Sequence, residues 1–386
     1  MTTQVETKLE LETIGSAEAF ARLAPEWDVL VRAMPRPSPF LLHAWLEAWV
    51  RHYGEGAELT VHVARRDGRL VGALPLLVRP HLGLRTARFL GGRQSALGDL
   101  LLAPGENGAT GAALAARVRT SADLLDVYGL PTRSRLAATL GCALDVIQRV
   151  EAPVLDLGLG WEAVYQAKTS SKKRNLHRRR RRQLGELGRL EVVVARSLEE
   201  LRPALEEAFR LHDLRWDGRP DGSGFASPLG RPFQREAIAA LAELDVPRIV
   251  LLTLDGRAVA FHYYFAFEGG MYVHRLAFDP ALARFSPGLV NTLDTIEAAS
   301  DEGLTRVEFL GGAERYKTEL ADGFEPLCHG LGLATGARAR AVVAARLGVI
   351  RLRLRVKRSS TLHRMYMDGV APVRRLTQRS RDALRP

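Results

Sequence analysis

Two stretches of the chain share one arrangement of apolar and polar positions. Residues 9–20, LELETIGSAEAF, alternate like a short strand and then take a helical period after Ser16. Residues 190–201, LEVVVARSLEEL, repeat this arrangement, with Ser197 standing 181 residues after Ser16. A serine directly before an apolar helical period is typical of a helix N-cap. We therefore predict a strand followed by a helix in both places.

A hairpin follows each of these units. Residues 59–78 form two apolar runs joined by Asp67-Gly68, and residues 248–267 form two such runs joined by Asp255-Gly256, at an offset of 188 residues. An Asp-Gly pair between alternating runs is a strong hairpin signal. A third strand, a helix and a further strand are then predicted in each half, at TARFLGG, 109–118 and DLLDVYG, and at MYVHRLAF, 286–302 and TRVEFLG. The tetrapeptide FLGG also occurs twice, but at a different offset, and we treat that match as chance.

The repeated order of elements predicts an α/β fold made of two similar halves. The boundary is expected within 150–165, so we divide the chain into residues 1–160 and 161–335. About 150 residues are enough for each half to bury a core of its own. Residues 336–386 show no further core and are predicted to form a basic, helical C-terminal tail.

Composition restricts the class of protein. The chain has 386 residues, 46% hydrophobic and 26% charged, which is ordinary for a globular protein. The mean hydropathy is −0.08, and the sequence contains no apolar run long enough to span a membrane and no secretory signal. Two cysteines are too few for a disulfide framework or a cysteine metal site. We therefore expect a soluble protein of the reducing cytosol.

The formal net charge of +11 is concentrated in two segments. Residues 168–182, KTSSKKRNLHRRRRR, carry nine Lys or Arg and no acid, and residues 334–386 carry fourteen against two Asp. Such segments bind phosphate in a nucleic acid, a nucleotide cofactor or an anionic lipid, although many are only solvated helix faces. Neither segment interleaves aromatic residues, as a base-stacking surface would.

The sequence Ser286-Pro287-Gly288 is the first candidate for binding chemistry. Ser at the N-cap with Pro next to it is a strong helix start, and Gly288 allows a ligand to approach the first-turn amides. A helix N-terminus after a strand suits a cofactor pyrophosphate, and Arg284 precedes it. A plain capped helix is the alternative.

The segment after the last strand of the second half is the second candidate. Polar side chains just beyond a strand end are where open α/β sheets place their chemistry. Lys317 is predicted to stabilise an oxyanion or phosphate, Tyr316 to act as a general acid, and Glu308 or Glu314 as a base.

Several other polar residues are candidates for catalysis or substrate binding. His274 is a possible catalytic group on the third strand of the second half, although a lone strand histidine is more often structural. A loop at 217–232 is a candidate lid. Asp99 follows a glycine-rich turn of the first half and is a candidate for substrate binding. The other substrate-binding candidates lie in the second half: Arg215, Trp216, Arg275, Asp279 and Glu314. The sequence lacks P-loop, Rossmann and nucleophile-elbow motifs and any histidine pair with metal-ligand spacing, so we expect no metal site.

Six segments, in order, resemble the landmarks of one family. They are PSPFLLHAWLEAWVRHYG, DGRLVGALPLLV, RFLGG, LHDLRW, SPGLV and GGAERYKTEL, spread over about residues 35–330. The chain thereby resembles the CelD-like or BioF-like acetyltransferase domain family of the GNAT superfamily and is similar to the FemAB-type tandem-GNAT transferases.

The resemblance implies two tandem GNAT-like domains, with an acyl donor bound mainly by the second half. Acyl-CoA would be the co-substrate and an amine the acceptor. FemAB relatives use aminoacyl-tRNA, and a lysine after an aromatic residue assists their transfer, a pair that Tyr316-Lys317 match. The chain departs from these relatives in lacking a long helical arm, and its residues 284–288 only approximate the usual GNAT pyrophosphate loop.

Three functions remain open at this point. The leading expectation is an acyl-CoA-dependent N-acyltransferase, with acetyl as the first acyl group to consider, in envelope, polysaccharide or specialised-metabolite synthesis of a bacterium. The second is an aminoacyl-tRNA-dependent transferase that contacts tRNA through Lys168–Arg182. The third is a non-catalytic module that binds RNA, or an anionic membrane at its inner face, through the tail.

Overall fold

The computed structural model describes residues 8–106, 108–216 and 224–358, the last with backbone only at 351 and 353–358. Residues 217–223 of the predicted lid loop and residues 359–386 of the predicted tail lie outside the described residues. The strands, in chain order, are β1 Leu9–Ile14, β2 Glu58–Arg66, β3 Arg69–His81, β4 Leu84–Phe89, β5 Leu101–Leu102, β6 Leu124–Pro131, β7 Leu144–Val150, β8 Pro153–Asp156, β9 Leu190–Ala195, β10 Pro247–Leu254, β11 Arg257–Phe267, β12 Gly270–Phe278, β13 Arg306–Glu308, β14 Gly323–Phe324 and β15 Leu327–Gly332.

Helices connect these strands. They are α1 Ala17–Ala21, α2 Ala24–Arg32, α3 His43–Tyr53, α4 Gly108–Ser121, α5 Arg135–Leu140, α6 Trp161–Lys168, α7 Ser171–Gly185, α8 Leu198–Trp216, α9 Gly230–Ala242, α10 Pro287–Asp301, α11 Arg315–Leu320 and α12 Gly336–Arg358. Short 3-10 segments lie at Pro39–Leu41, Gly92–Gln94, Gly141–Ala143, Gly224–Ala226 and Pro280–Phe285.

Two mixed sheets organise residues up to 333. The first has the strand order β1-β2-β3-β4-β6-β15-β7, with β5 paired to β3. The second has the order β14-β8-β13-β12-β11-β10-β9. In each sheet the third strand of the repeat is parallel to the strand after the helix, as β4 is to β6 and β12 is to β13.

The two halves contain the same order of elements, which confirms the predicted tandem α/β fold. Ser16 Oγ accepts from the Ala19 amide, and Ser197 forms a reciprocal pair of hydrogen bonds with Glu200, so both predicted caps are present. Both Asp-Gly turns have two consecutive positive φ angles, 51° and 76° in the first half and 49° and 77° in the second. Those angles belong to the type I′ turn, whose twist matches that of the flanking strands. The helix predicted as one unit after Ser16 is divided into α1 and α2.

Each half contributes one strand to the sheet of the other. β8 comes before the second half's own strands, yet it pairs with β13 and β14. β15 follows the second half and inserts between β6 and β7 of the first sheet. The predicted boundary between residues 160 and 161 stays a prediction. β8 precedes this boundary but pairs within the second sheet, and β15 follows it but pairs within the first sheet.

Aromatic side chains of both halves share one core. Phe40 packs edge-on against Phe265 with ring centroids 5.3 Å apart, and Trp45 packs against Phe233 at 4.8 Å. All four rings are fully buried. Burial of this size, about 1.5–3 kcal/mol for each large apolar side chain, holds the two halves against each other.

Residues from 334 onward form a separate unit. Its described part is the 23-residue helix α12, which contains only basic residues among its charges. The predicted basic helical tail is thus present over residues 336–358. Among the helices of the described residues, none combines the length and apolar character needed to cross a membrane.

Candidate functional site

An open notch separates β12 from β13. The two strands pair only where Gly270–Tyr272 lie beside Arg306–Glu308. β12 then continues to Phe278, paired with β11 alone. The edge of β12 that faces the notch therefore has main-chain groups available to an extended ligand.

A bulge in β12 redirects two side chains next to this notch. Tyr263 of β11 pairs with Arg275 and Tyr264 pairs with Val273, so His274 is an extra residue in the ladder. A bulge of this kind breaks the alternation of side chains between the two faces of a sheet. His274 and Arg275 consequently both project toward the first half, where His274 contacts the Phe40 ring and Arg275 reaches Gln94.

The predicted anion site begins α10. Ser286 is the N-cap, with φ 56° and ψ 50° in the left-handed region, and its side chain makes no capping hydrogen bond. A non-glycine residue in that region costs on the order of 1–2 kcal/mol. Retained strain at a helix start, with the serine hydroxyl unused, is typical of a ligand-binding position. A Cβ on Gly288 would lie 2.7 Å from Phe278 Cδ1, so the absence of a side chain there is a steric requirement.

The basic segment lies beside the start of α10. Arg180 of α7 donates to the Arg284 carbonyl, and Arg181 pairs with Asp294 of α10. Arg215, at the end of α8, stacks its guanidinium 4.8 Å from the centre of the Phe278 ring. Arg284, Arg215 and α7 thus bring positive charge to the helix N-terminus, where the helix dipole already favours an anion.

Lys317 lies on α11, beyond the end of β13. Its side chain is 7% exposed, and Nζ lies 2.9 Å from Glu314 Oε2 and 3.4 Å from the Gly311 carbonyl oxygen. Lys317 is also near enough to His262 of β11 to lower the pKa of that imidazole. The ammonium is thus fixed in a buried position beneath the strands that border the notch.

The two residues that precede Lys317 in the predicted site take different positions. Tyr316 is half-buried and packs edge-on against Phe309, and burial together with the Glu314 charge raises the pKa of its phenol. Tyr316 therefore stays protonated at neutral pH. Glu314 is exposed over more than half of its side chain and serves as the partner of Lys317.

Glu308 is held by two arginines. Its carboxylate is fully buried and accepts from Arg36 of the first half and from Arg306. Both oxygens of this carboxylate are therefore engaged by guanidinium donors. The role of Glu308 as a base stays a prediction.

His274 is enclosed by aromatic rings. Phe40, Trp45, Tyr263, Phe265 and Phe225 all have ring centroids within 6.2 Å of it. Burial lowers the pKa of His274 well below its usual value, so the imidazole is neutral at pH 7. Its Nε2 lies 3.3 Å from Gln234 Nε2, while its buried Nδ1 makes no hydrogen bond.

Three other predicted residues are used locally. Asp99 is buried and accepts from Ser134 Oγ and from three amides, Leu100, Arg135 and Leu136, which fixes the start of α5. Burial raises the pKa of Asp99 despite these bonds. Asp279 accepts from the Ala281 amide at the start of a 3-10 segment, and Trp216 stacks on His212 at 6.1 Å. None of these three contacts another predicted site residue through the hydrogen bonds described.

The structure adds polar residues that the sequence analysis missed. Gln234, Tyr263, His262 and Asn291 are at most 1% exposed, and each has a side-chain polar atom without a hydrogen bond. The run His262-Tyr263-Tyr264 within the apolar strand β11 was a usable signal. Strand alternation sends His262 and Tyr263 to opposite faces. Among the described residues, no group of three or more His, Cys, Asp or Glu side chains could hold a metal ion.

Comparison with known proteins bears on the second half most directly. Residues 171–318 match the family model described as an acetyltransferase (GNAT) domain. No curated protein sequence matches the chain.

Solved structures resemble most of the chain. FemX is similar with a TM-score of 0.56 and 12% identity, over 83% of this chain and 96% of that one. The C-terminal domain (DUF2156) of a putative lysylphosphatidylglycerol synthetase from Agrobacterium fabrum gives 0.51 and 13%, over 86% and 96%. A tandem GNAT protein from the clavulanic acid biosynthesis pathway gives 0.49 and 16%, over 86% and 100%. At these identities the likeness is one of fold.

The family match covers α7, the bulged strand β12, the start of α10 and Lys317, which are the elements of the candidate site. Residues 171–318 of the second half are therefore similar to acetyltransferase (GNAT) domains.

Proposed function

We propose that the protein transfers an acyl group, in the first instance acetyl, from acyl-CoA to an amine. The observation that supports this proposal best is the notch between β12 and β13, with the N-terminus of α10 beside it. The amides of a pantetheine arm can pair with the free edge of β12. The pyrophosphate can then lie against the Gly288 amide and the nearby guanidiniums of Arg215 and Arg284.

The proposed reaction uses few protein groups. The amine nitrogen attacks the thioester carbonyl, the C–S bond breaks, and the products are an amide and the CoA thiol. Lys317 is positioned to stabilise the oxyanion that develops on the carbonyl oxygen. Tyr316, protonated at neutral pH, is a candidate donor of the proton that the departing thiolate takes up. The proton that the amine nitrogen loses then returns through water to the Tyr316 phenolate, so the step balances.

His274 is proposed to orient the amine. Its neutral imidazole lies next to the notch, with Nδ1 available for a hydrogen bond. Because burial lowers the pKa of His274, it is too weak a base to take a proton from an ammonium group. Positioning of the amine between the two halves then supplies a large part of the rate enhancement.

The second candidate is transfer from aminoacyl-tRNA. The observation that favours it is the exposed face of α7, where Lys172, Arg178, Arg179 and Arg182 point to solvent beside the donor site. The exposed face of α7 can contact more phosphates than a CoA molecule carries. A tRNA acceptor stem, in contrast, offers a continuous phosphate backbone.

One titration separates the two donors. The purified full chain is titrated with acetyl-CoA, longer acyl-CoAs and charged tRNA, and complexes are counted by native mass spectrometry. One acyl-CoA bound per chain, with no stable tRNA complex, supports the leading proposal. A tRNA complex without CoA uptake transfers support to the second candidate. Failure of both donors leaves the non-catalytic binding module, the third function expected from the sequence.

The tRNA candidate also requires a steep dependence on salt. Changing Lys172, Arg178, Arg179 and Arg182 to glutamine should weaken a phosphate-backbone complex and flatten the plot of log affinity against log salt. Arg189→Gln is the matched control, because Arg189 is exposed and pairs with Glu191. Weak tRNA binding with little salt dependence would exclude this candidate.

A further inference from the structure

The bulge of β12 places a half-buried arginine, Arg275, between the two halves. Arg275 Nη1 donates to the neighbouring His274 carbonyl at 2.7 Å, and Nη2 lies 3.4 Å from Gln94 Oε1 of the first half. Its Nε is buried and has no hydrogen-bond partner. Gln94 in turn donates to the Tyr53 hydroxyl at 3.1 Å. The guanidinium therefore lies where α3 and the Gly92–Gln94 segment meet β12.

Within the described part of the chain, Arg275 has no counter-ion. Among the described residues, no carboxylate lies within ion-pair distance of it. Two other arginines with little exposed side chain are paired: Arg248 contacts Glu302 at 2.5 Å and Asp245 at 3.0 Å, and Arg36 contacts Glu308 at 2.6 Å. Burial lowers the pKa of Arg275 to about 10. Loss of solvent around a cation lowers its pKa when no anion compensates for it. A buried cation left unpaired lowers the stability of the fold.

Unused donors lie beside this cation. Tyr263 is the cross-strand neighbour of Arg275, and its buried hydroxyl makes no hydrogen bond. Arg275 Nε–H and Tyr263 O–H are thus two buried donors on neighbouring side chains of one sheet face. Buried donors are nearly always satisfied in native proteins, by the protein itself, by water or by a ligand.

We infer that the amine acceptor carries a carboxylate, and that this carboxylate binds Arg275 Nε and Tyr263 Oη. The inference rests on the proposed acyltransferase function, since it names the acceptor class of that same site. Two donors match the two oxygens of a carboxylate. One guanidinium balances one negative charge, whereas a phosphate dianion would leave a net charge buried. The acceptor is therefore an amino acid in the broad sense, an amine and a carboxylate in one molecule.

The direct test compares acids with their amides. A series from glycine to 6-aminohexanoate, with the matching carboxamides, is supplied with acetyl-CoA, and release of the CoA thiol is followed. We expect at least one acid to exceed its amide by about 10-fold in kcat/KM, which corresponds to about 1.4 kcal/mol. Arg275→Gln should reduce this ratio to about one, through KM of the acid, while the Kd of CoA stays within about 2-fold. An unchanged ratio in Arg275→Gln would overturn the inference.

A second measurement needs no turnover. The thermal unfolding midpoint is recorded in sodium acetate and in sodium chloride at equal ionic strength. Acetate should raise the midpoint of the wild-type protein relative to chloride, and Arg275→Gln should abolish the difference. Arg79→Gln is the matched control, because Arg79 also has a buried, unpartnered Nε but lies on β3 and donates to the Tyr53 and Glu55 carbonyls. This variant should retain the acetate effect.

The two measurements distinguish this inference from the proposed function. If CoA does not bind, the proposed function fails, and the acetate comparison still decides whether Arg275 and Tyr263 bind a carboxylate. If CoA binds but acetate acts equally on wild type and Arg275→Gln, the carboxylate site is excluded and the acyltransferase proposal stands. Arg275→Lys is a second variant should the glutamine variant fold poorly, and it should lose most of the preference because an ammonium cannot present the Nε–H of the guanidinium.

Discussion

Arg36 of the first half and Glu308 of the second form a double hydrogen bond, with Nε 3.1 Å from Oε1 and Nη2 2.6 Å from Oε2. Their side chains are 12% and 1% exposed. Arg306 shares the same carboxylate. The pair joins the segment after α2 to the last residue of β13, at the point where β12 and β13 begin to separate, so the opening of the notch is anchored to the first half.

Arg36→Ala should lower the free energy of unfolding by about 3 kcal/mol, because it leaves the buried Glu308 carboxylate with one guanidinium instead of two. Urea denaturation followed by tryptophan fluorescence measures the change. Arg32→Ala is the control: its pair with Glu268 is 47% and 35% exposed and should matter by less than about 1 kcal/mol. Equal losses in the two variants would contradict a special role for the Arg36 pair.

Local patterns were enough to predict most elements of the fold. The Asp67-Gly68 and Asp255-Gly256 turns, the serine caps and the doubled order of elements are each encoded within a few residues. The exchange of β8 and β15 is not, because nothing in a strand of four or six residues specifies which distant edge it pairs with. Partner choice depends on the whole sheet surface that each strand completes.

Gly288→Ala should weaken binding of CoA about 10-fold. The added Cβ would lie 2.7 Å from Phe278 Cδ1, so the ring or the first turn of α10 must shift. Isothermal titration calorimetry measures the Kd. Phe278→Ala in the same chain should restore part of the affinity, since it removes the ring whose Cδ1 clashes.

Gly185→Ala is the matched control for this change. Gly185 lies at the end of α7, and a Cβ there would meet no atom within 4 Å. Alanine is favoured over glycine in helices by up to about 1 kcal/mol, so this variant should bind CoA normally and be slightly more stable. A normal Kd in Gly288→Ala would argue against donor binding at the start of α10.

Lys317→Ala should lower kcat by about 100-fold or more, with the Kd of CoA changed less than about 3-fold. The expected loss follows from removal of the positive charge that, in the proposed reaction, stabilises the developing oxyanion. Steady-state kinetics and a separate binding titration give the two constants. Lys8→Ala, at an exposed position before β1, is the control. A parallel rise in Kd and fall in kcat would show that Lys317 holds the fold or the donor instead.

Acid should destabilise the protein through His262. Burial, with a contribution from the Lys317 charge, lowers the pKa of His262 to about 3, against about 6.5 in the unfolded chain. Between those values the unfolded state binds the additional proton, so stability falls as the pH drops from 6.5. The slope is about 1.4 kcal/mol per pH unit for this residue. The free energy of unfolding is measured by urea denaturation at pH 6.5 and pH 5. Its decrease between these pH values should be about 2 kcal/mol smaller in His262→Gln than in the wild-type protein. An equal loss in the two proteins would mean that His262 is solvated in the folded state.

The candidate site was only partly predictable from the sequence. Lys317, Ser286 and Gly288 follow from motifs that lie within one loop or one helix start. The arrangement of His274 and Arg275 could not be predicted in this way. A bulge that no residue type in the sequence indicates turns both side chains to the same face, and residues of the other half surround them. Glu308 was predicted as a base from its place at a strand end, but the Arg36 that pairs with it is 272 residues away in the chain.

The crossed strands impose an order on biosynthesis. β7 joins the first sheet only through β15, and residues 327–332 are translated after nearly the whole second half. During translation, β6 and β7 are therefore synthesised well before β15, the strand that lies between them. An expression fragment that stops near residue 160 would lack β15 permanently, and its β8 would be a strand without its sheet. Neither half is thus a natural unit for separate expression, because the first sheet needs β15 at residues 327–332 and the second needs β8 at residues 153–156.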